Sequence, residues 1–390
     1  MSTMNLTLLT DLYELTMMQG YFKTQNTETV VFDAFYRSNP CQGGYAIAAG
    51  LEQVIDYIKN LHFFPEDIAY LGSLGIFEQD FLDYLKDFHF SGDIYAIPEG
   101  TVVFPREPLV KVIAPIMEAQ LVETAILNII NHQSLIATKS ARVVLAARGD
   151  GIMEFGLRRA QGPDAGTYGA RAAMIGGCIG TSNVLAGQLF DVPVKGTHAH
   201  SWIMSFPDEY TAFKAYADLY PNACCLLVDT YDTLKSGVPN AIRVFQEMRD
   251  SGIALKNYGI RLDSGDLAYM SKQARKMLDE AGFPDAFISA SSDLDEYLID
   301  SLKTQGATTD TSLFLTTYRG GSHLPADIYA DNQFMKDYLE QLNTFDEGAF
   351  IVADGAYSGE ENSQIAALDF QKLLDYINSL NNCAPKIETA

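Results

Sequence analysis

Apolar residues recur at three- and four-residue spacing over residues 5–22 and 50–60, which predicts two helices. Between them, Thr29 to Tyr36 alternates as a strand does, and Asn39 to Gly44 is a Pro/Gly turn. Alternation returns at Thr101 to Phe104 and at Leu109 to Val112, two runs expected to pair as a small antiparallel sheet. A long helical pattern then runs from Glu118 to Ala147. The first part of the chain therefore reads as mixed α and β.

Beyond this point the rhythm changes. Short β-rich runs each end in a polar cluster and lead into a helical stretch. The clusters are Phe155 with Arg158 and Arg159, then Thr197 to Ser201, Asp229 to Thr233, Arg261 to Asp266 and Ser291 to Glu296. The later ones recur at roughly the thirty-residue length of one β-α unit. Repeated β-α units imply a parallel sheet, and polar clusters at successive strand ends imply a barrel with its active site on that face. An open doubly wound sheet is the alternative. No G-x-G-x-x-G follows the first strand of the series, which disfavours a dinucleotide-binding fold.

Composition narrows the function. The 390 residues carry a formal net charge of −23, which argues against a nucleic acid partner but not against a small phosphorylated substrate held by a local cluster of cations. With 47% hydrophobic and 20% charged residues the chain is expected to build an ordinary globular core. Cys41, Cys178, Cys224, Cys225 and Cys383 form no C-x-x-C pair and are read as reduced, mostly buried thiols. The first residues lack a basic and an apolar region in succession, so no secretion signal is expected. Ala172 to Phe190 carries no charge, but its four glycines and its polar Thr181, Ser182, Asn183 and Gln188 point to tight packing in a core and not to a membrane span.

The polar clusters share a chemistry. Arg158, Arg159, Lys195, Arg261, His198 and His200 suit phosphate and carboxylate groups; Asp229, Asp232, Asp263, Asp266, Asp293 and Asp295 suit Mg²⁺ and ribose hydroxyls. A mouth holding both signs reads as a site for a magnesium-bound sugar phosphate. Each cluster alone could be loop caps and surface ion pairs; five in phase with the strands favour a site. His198 and His200 flank Ala199, a spacing that could hold zinc on an extended segment, but no third ligand is at hand, and a histidine acting as nucleophile or acid/base is the stronger reading. A core histidine is the plain alternative for either. Asp266 and Asp295 could be helix caps, Phe155 a core residue and Tyr13 a helix-packing aromatic.

These residues sit in motifs that together resemble the nicotinate phosphoribosyltransferase family over roughly residues 4–310. "TDLYELTM", "FDAFYRSNP", "GGYAIAAGLEQ", "PEGTVVFPREPLVKV" and "TKSARVV" follow its pattern. "EFGLRRAQGPDAG", "GTSNVLAG", "GTHAHSWIMSF", "LLVDTYDTL", "GIRLDSGDL" and "ASSDLDEYLI" do so most specifically, in the family's order and spacing. The resemblance implies an α/β fold: the irregular, TIM-like barrel of type II phosphoribosyltransferases over residues 131–310, beside an N-terminal α+β domain over 1–130. It implies that nicotinate and phosphoribosyl pyrophosphate are joined to nicotinate mononucleotide and pyrophosphate in NAD synthesis, with Mg²⁺ and with ATP hydrolysis coupled through a phosphohistidine. By motif, His200 would accept phosphate. Phe155 would stack on the pyridine, Arg158 would face the ring and its carboxylate, and Ser182 would join the substrate-binding set. Tyr13 would stack on the other face from the partner of a head-to-tail homodimer. Arg261 would hold phosphate, and Asp229 and Asp263 would contact ribose or the metal, whose ligands are otherwise unassigned. A cytoplasmic enzyme is implied. A relative acting on quinolinate or nicotinamide is disfavoured by the "FGLRRAQGPDAG" and "TDLYELTM" wording.

The tail departs from the family. After "LKTQGATTD" a Gly-rich "GVGT" phosphate loop would follow, but Thr311 onward reads "TSLFLTTYRGGSHLPADIYADNQFMKDYL". Residues 311–390 are thus expected to be a non-family segment. Within it "FIVADGAYSGEENSQIAA" resembles a fragment of an insertion-sequence transposase, in which Asp354 would be one of three catalytic acids; one such motif cannot hold two metals, so no transposase activity is assigned. Ser363 to Asn381 has an amphipathic helical pattern. The expectation is a replaced C-terminal segment, a barrel one phosphate loop short and an unsealed last strand. The alternative function is accordingly a catalytically impaired remnant.

Overall fold

A computed structural model describes residues 5–314 together with Phe350 and Ile351. The chain divides into two compact units, the first reaching Asn131 and the second starting at His132.

In the first unit, helix α1 (Leu12–Thr24) is followed by strands β1 (Thr29–Ala34) and β2 (Ala46–Ile47). Helices α2 (Leu51–Lys59), α3 (Pro65–Ser73) and α4 (Gln79–Leu85) come next, then strands β3 (Asp93–Ala96), β4 (Val102–Val103) and β5 (Val110–Pro115). Helix α5 (Ile116–Ala146) runs on through the division between the units. Helix α1 starts later than its apolar spacing suggests, because Thr7 is tied elsewhere: its amide donates to Asn5 Oδ1 (3.0 Å) and its hydroxyl to the His62 carbonyl (2.8 Å). β5 alternates as predicted, with Val110, Val112 and Ala114 buried. It does not pair with the Thr101–Phe104 run, however. β5 lies between β1 and β3, antiparallel to both, whereas β4 pairs with β2 in a separate two-stranded sheet. Alternation identifies a strand's faces but not its neighbour. Phe63, Phe81, Leu85 and Phe88 pack with Val54, Leu121, Val122 and Ile126 in this unit's core. A further strand, β12 (Phe350–Ile351), adds in parallel to β1.

The second unit is built of β-α repeats. After α5 come β6 (Gly151–Glu154), α6 (Pro163–Ile175), β7 (Gly180–Thr181), α7 (Val184–Phe190), α8 (His200–Met204) and α9 (Glu209–Leu219). Then follow β8 (Cys224–Leu227), α10 (Val238–Asp250), β9 (Tyr258–Leu262), α11 (Leu267–Glu280), β10 (Phe287–Ala290), α12 (Glu296–Thr304) and β11 (Thr311–Phe314). The helices show why their sequences are helical. Val238, Ala241, Val244, Phe245 and Met248 of α10 fall on one buried stripe, and Asn183, Asp208, Asp266 and Asp295 cap α7, α9, α11 and α12 through their side chains. Gly252, Gly282 and Gly306 supply left-handed turns soon after α10, α11 and α12. The uncharged Ala172–Phe190 stretch is the end of α6, β7 and α7, with Ala172, Ala173 and Ala186 fully buried.

All six strands are parallel, in the order β7-β6-β11-β10-β9-β8, and form the curled half-barrel of an α/β fold. The expected unsealed last strand is not what is found. β11 lies beyond residue 310 yet inserts between β10 and β6, with Thr311–Phe314 in register with Gly151–Glu154. The break in the cycle falls instead between β7 and β8, and the segment entering α8 spans it. Val194 bridges Thr181, the Thr181 amide donates to the Pro193 carbonyl (2.9 Å), and the Leu227 amide of β8 donates to His198 Nε2 (3.3 Å). One imidazole therefore satisfies a backbone donor at the strand edge, which would otherwise be left unpaired in the interior. Gly320 and Gly321, Asp354, the helical pattern of 363–381 and Cys383 lie outside the described residues.

Candidate active site

Loops at the C-terminal ends of β8, β9 and β10 build one polar cluster around His200. Its place is set by backbone packing: the Val228 amide donates to the Arg261 carbonyl (3.2 Å), and the Ser291 amide to the Leu262 carbonyl (2.8 Å). A side chain on Gly237, at the turn into α10, would overlap the Val228 carbonyl oxygen, so a glycine is required just where the chain closes behind Asp229.

Arg261 is nearly buried and held at three points. Its Nε donates to Ser291 Oγ (2.8 Å), Nη1 to Thr197 Oγ1 (3.0 Å) and Nη2 to Asp263 Oδ1 (2.8 Å). Asp263 also accepts the Ser291 hydroxyl. Burial raises its carboxyl's pKa, but the Ser291 hydrogen bond, the Arg261 guanidinium and the nearby His200 outweigh burial and hold it below the usual value. Asp229 Oδ2 accepts the Asp263 amide and the Ser264 hydroxyl, each at 2.7 Å. Its Oδ1 is buried without a hydrogen-bond donor among the described residues and lies 4.0 Å from His200 Nε2. Asp263 Oδ2 lies 3.5 Å from the same nitrogen, and His200 Nδ1 lies 3.1 Å from Thr230 Oγ1. His200 opens α8 and is partly exposed. The imidazole thus has two carboxylates at one nitrogen and a hydroxyl at the other, the setting in which a histidine's tautomer and direction are fixed.

A second group forms at the ends of β6 and β7. Phe155 is half-buried, Arg158 is exposed in a short 3₁₀ turn (Leu157–Arg159), and the Ser182 amide donates to the Glu154 carbonyl (3.0 Å). Tyr13 belongs to the first unit. It stands exposed on α1 with its hydroxyl 3.2 Å from Glu123 Oε1, and partial burial followed by Glu123, Glu14 and Asp11 raises its phenol well above the usual range.

Several candidates take the plainer role. Asp266 and Asp295 accept the Tyr269 and Leu298 amides as helix caps (3.0 and 2.8 Å), and Asp232 caps its own turn while pairing with Lys235. His198 is a core histidine, edge-on to Tyr216 at 4.6 Å; burial lowers its pKa to about 4, with Arg261 and His200 adding to the effect. Lys195, Arg159 and Asp293 are exposed. Thr230, Thr197 and Ser291 lie inside the sequence clusters without a role of their own there, and Glu154 lies just outside them. Hydroxyls and single carboxyls acquire meaning only from the partner that the fold brings to them.

Residues 8–131 fit the nicotinate phosphoribosyltransferase N-terminal domain, and residues 151–284 the nicotinate phosphoribosyltransferase family. A nicotinate phosphoribosyltransferase of Bacillus subtilis is 52% identical over 307 residues, covering 78% of this chain and 62% of the relative; one of Mycobacterium tuberculosis is 48% identical over 295 residues, covering 76% and 63%. The crystal structure of human nicotinic acid phosphoribosyltransferase superposes with a TM-score of 0.71 at 31% identity, covering 78% of this chain and 72% of that one. The chain belongs to the nicotinate phosphoribosyltransferase family. It spans about three fifths of the length of its bacterial relatives in that family. A nicotinate-nucleotide pyrophosphorylase from Pyrococcus furiosus shares the fold at 22% identity and a TM-score of 0.66. As a nicotinate phosphoribosyltransferase family member the chain carries its polar cluster where barrel enzymes carry theirs, at the strands' C-terminal ends. Among the described residues no helix is long and apolar enough to cross a membrane, and no group of three or more His, Cys, Asp or Glu side chains is arranged to hold a metal.

Proposed function

We propose that this chain is a nicotinate phosphoribosyltransferase, making nicotinate mononucleotide and pyrophosphate from nicotinate and phosphoribosyl pyrophosphate, with ATP hydrolysis coupled through phosphorylation of His200. The observation that carries the reading is the His200 cluster, in which one imidazole faces two carboxylates beside a threefold-anchored arginine. With its Nε2–H toward Asp263 and Asp229, Nδ1 carries the lone pair, which would become the nucleophile once the Thr230 hydroxyl turns away from it. It would attack the γ-phosphorus of ATP, forming the P–N bond as the P–O bond to ADP breaks, and water would later release phosphate.

In the transfer itself, the pyridine nitrogen attacks the ribosyl C1 while the bond to pyrophosphate breaks, and the sugar passes through a cationic state. Arg261 would hold a phosphate group, its guanidinium pre-set by Ser291, Thr197 and Asp263 so that little entropy is lost on binding. Phe155 would stack on the pyridine, with Arg158 toward the carboxylate and Ser182 beside them. Tyr13 would close the other face from a second copy in a head-to-tail homodimer. Mg²⁺ fits the donor set: Asp229 Oδ1 is a buried oxygen with no described donor, Asp263 Oδ2 is its neighbour across the imidazole, and two carboxylates plus substrate phosphates suit this ion. Bound there, it would neutralise the pyrophosphate leaving group. We place the enzyme in the cytoplasm, with no nucleic acid or membrane partner.

The test is nicotinate mononucleotide formation by the purified chain with nicotinate, phosphoribosyl pyrophosphate, Mg²⁺ and ATP. Turnover is expected, with ATP stimulation and ATP-dependent labelling lost in His200→Ala. Folded protein without turnover would make the chain an impaired remnant of the family.

A further inference from the structure

We infer that Glu154 is the positioning residue of the nicotinate-binding wall, a role that rests on the proposed stacking of nicotinate on Phe155. Glu154 ends β6 and is 1% exposed. Its two carboxyl oxygens reach in different directions: one accepts the Gly156 amide, and the other accepts the Thr181 hydroxyl at 2.6 Å. Its carbonyl accepts the Ser182 amide (3.0 Å). One residue therefore ties the turn carrying Phe155 and Arg158 to the strand end carrying Ser182.

The tie continues outward. Thr181 Oγ1 accepts the Asn183 amide (3.0 Å), and Asn183 Nδ2 donates to the Gly166 carbonyl (3.2 Å). Gly166 lies in α6 directly under the same turn, where a side chain would come within 2.7 Å of Leu157 Cδ1. So the Phe155–Arg159 turn is gripped at its start by Glu154 and at Leu157 by α6. A carboxyl group is costly to bury, and a stable strand end would be served as well by an apolar side chain. An acceptor on both oxygens is what two converging donors require.

The experiment uses the full chain with Glu154→Gln, Thr181→Val and Thr181→Ser. Glutamine keeps the shape but turns a donor toward the Thr181 hydroxyl; valine removes the hydroxyl; serine restores it. Nicotinate affinity is measured by calorimetry, and KM for nicotinate and for phosphoribosyl pyrophosphate by turnover, with ATP-dependent labelling of His200 as a control. Glu154→Gln and Thr181→Val should weaken nicotinate about tenfold, the size expected from one lost hydrogen bond to a charged group. KM for phosphoribosyl pyrophosphate and His200 labelling should stay within about twofold, and Thr181→Ser should recover nicotinate binding. Unchanged nicotinate affinity in folded Glu154→Gln would overturn the inference, as would an equal loss for every substrate with a lowered Tm. Wild-type protein that binds no nicotinate would sink the proposed function itself, before any variant is needed.

Discussion

Acidification should uncouple the seam between β7 and β8 through one residue, His198. Its Nε2 must keep a lone pair to accept the Leu227 amide, so the folded chain withholds a proton that the unfolded chain takes up. The ordinary pKa is 6.5 and burial lowers the folded value to about 4. Between those limits the unfolded state binds more protons, so this contribution is complete above pH 6.5 and falls as the pH drops toward 4. At 1.36 kcal/mol per pKa unit the full loss is about 3 kcal/mol, of which about 2 kcal/mol falls between pH 7 and pH 5. His198→Gln keeps an acceptor in reach of Leu227 without a titrating ring. Urea denaturation of both chains at pH 7 and pH 5 isolates the difference, since all other groups are shared. Histidine-ring NMR of the native protein, with the variant assigning the signal, reads the titration directly. Parallel loss of stability in the two chains, or a His198 titration near 6.5, would refute the reasoning.

Glu14 runs the other way. Burial, with Glu123 adding to it, pushes its carboxyl up to about 8 against the lowering effect of Thr124, so between 4.5 and 8 the folded chain binds more protons and stability falls as pH rises. Glu14→Gln should therefore stabilise the protein by up to about 3 kcal/mol at pH 7, with the gain shrinking toward pH 4.5, as denaturation at both pH values would reveal. Gly237→Ala forces a side chain into the Val228 carbonyl; a cost of about 2–3 kcal/mol and a displaced Asp229 should lower activity beyond the loss of folded protein, read from Tm and kcat together. Asp295→Ala removes a cap and should cost about 1 kcal/mol with every KM unchanged, so an altered KM would return Asp295 to the site.

Much of the molecule was legible in its residues. The β-α rhythm after residue 150, the polar strand ends, the long helix α5 and the cap-and-glycine ends of α10 to α12 are local properties, written in apolar spacing and in backbone preference. The gathering of Asp229, Arg261 and Asp263 into one polar cluster beside His200 was legible too, because these three ride on strand ends whose order in a parallel sheet follows chain order. What local pattern could not decide was pairing. Thr101–Phe104 and Leu109–Val112 both alternate, yet they enter different sheets, since alternation is the same whatever the neighbour. β11 begins where the family wording stops and still closes on β6, because a parallel strand needs only backbone donors and a buried face, not a motif.

The two histidines of "GTHAH" mark the limit most sharply. Both are the same residue type two positions apart, but His198 is drawn into the seam by the Leu227 amide, and His200 stands over two carboxylates. The sequence determined that two imidazoles would be present in that segment. Only the tertiary structure decided which one is buried and neutral and which one faces the cluster, because that depends on donors and charges arriving from strands thirty and sixty residues away.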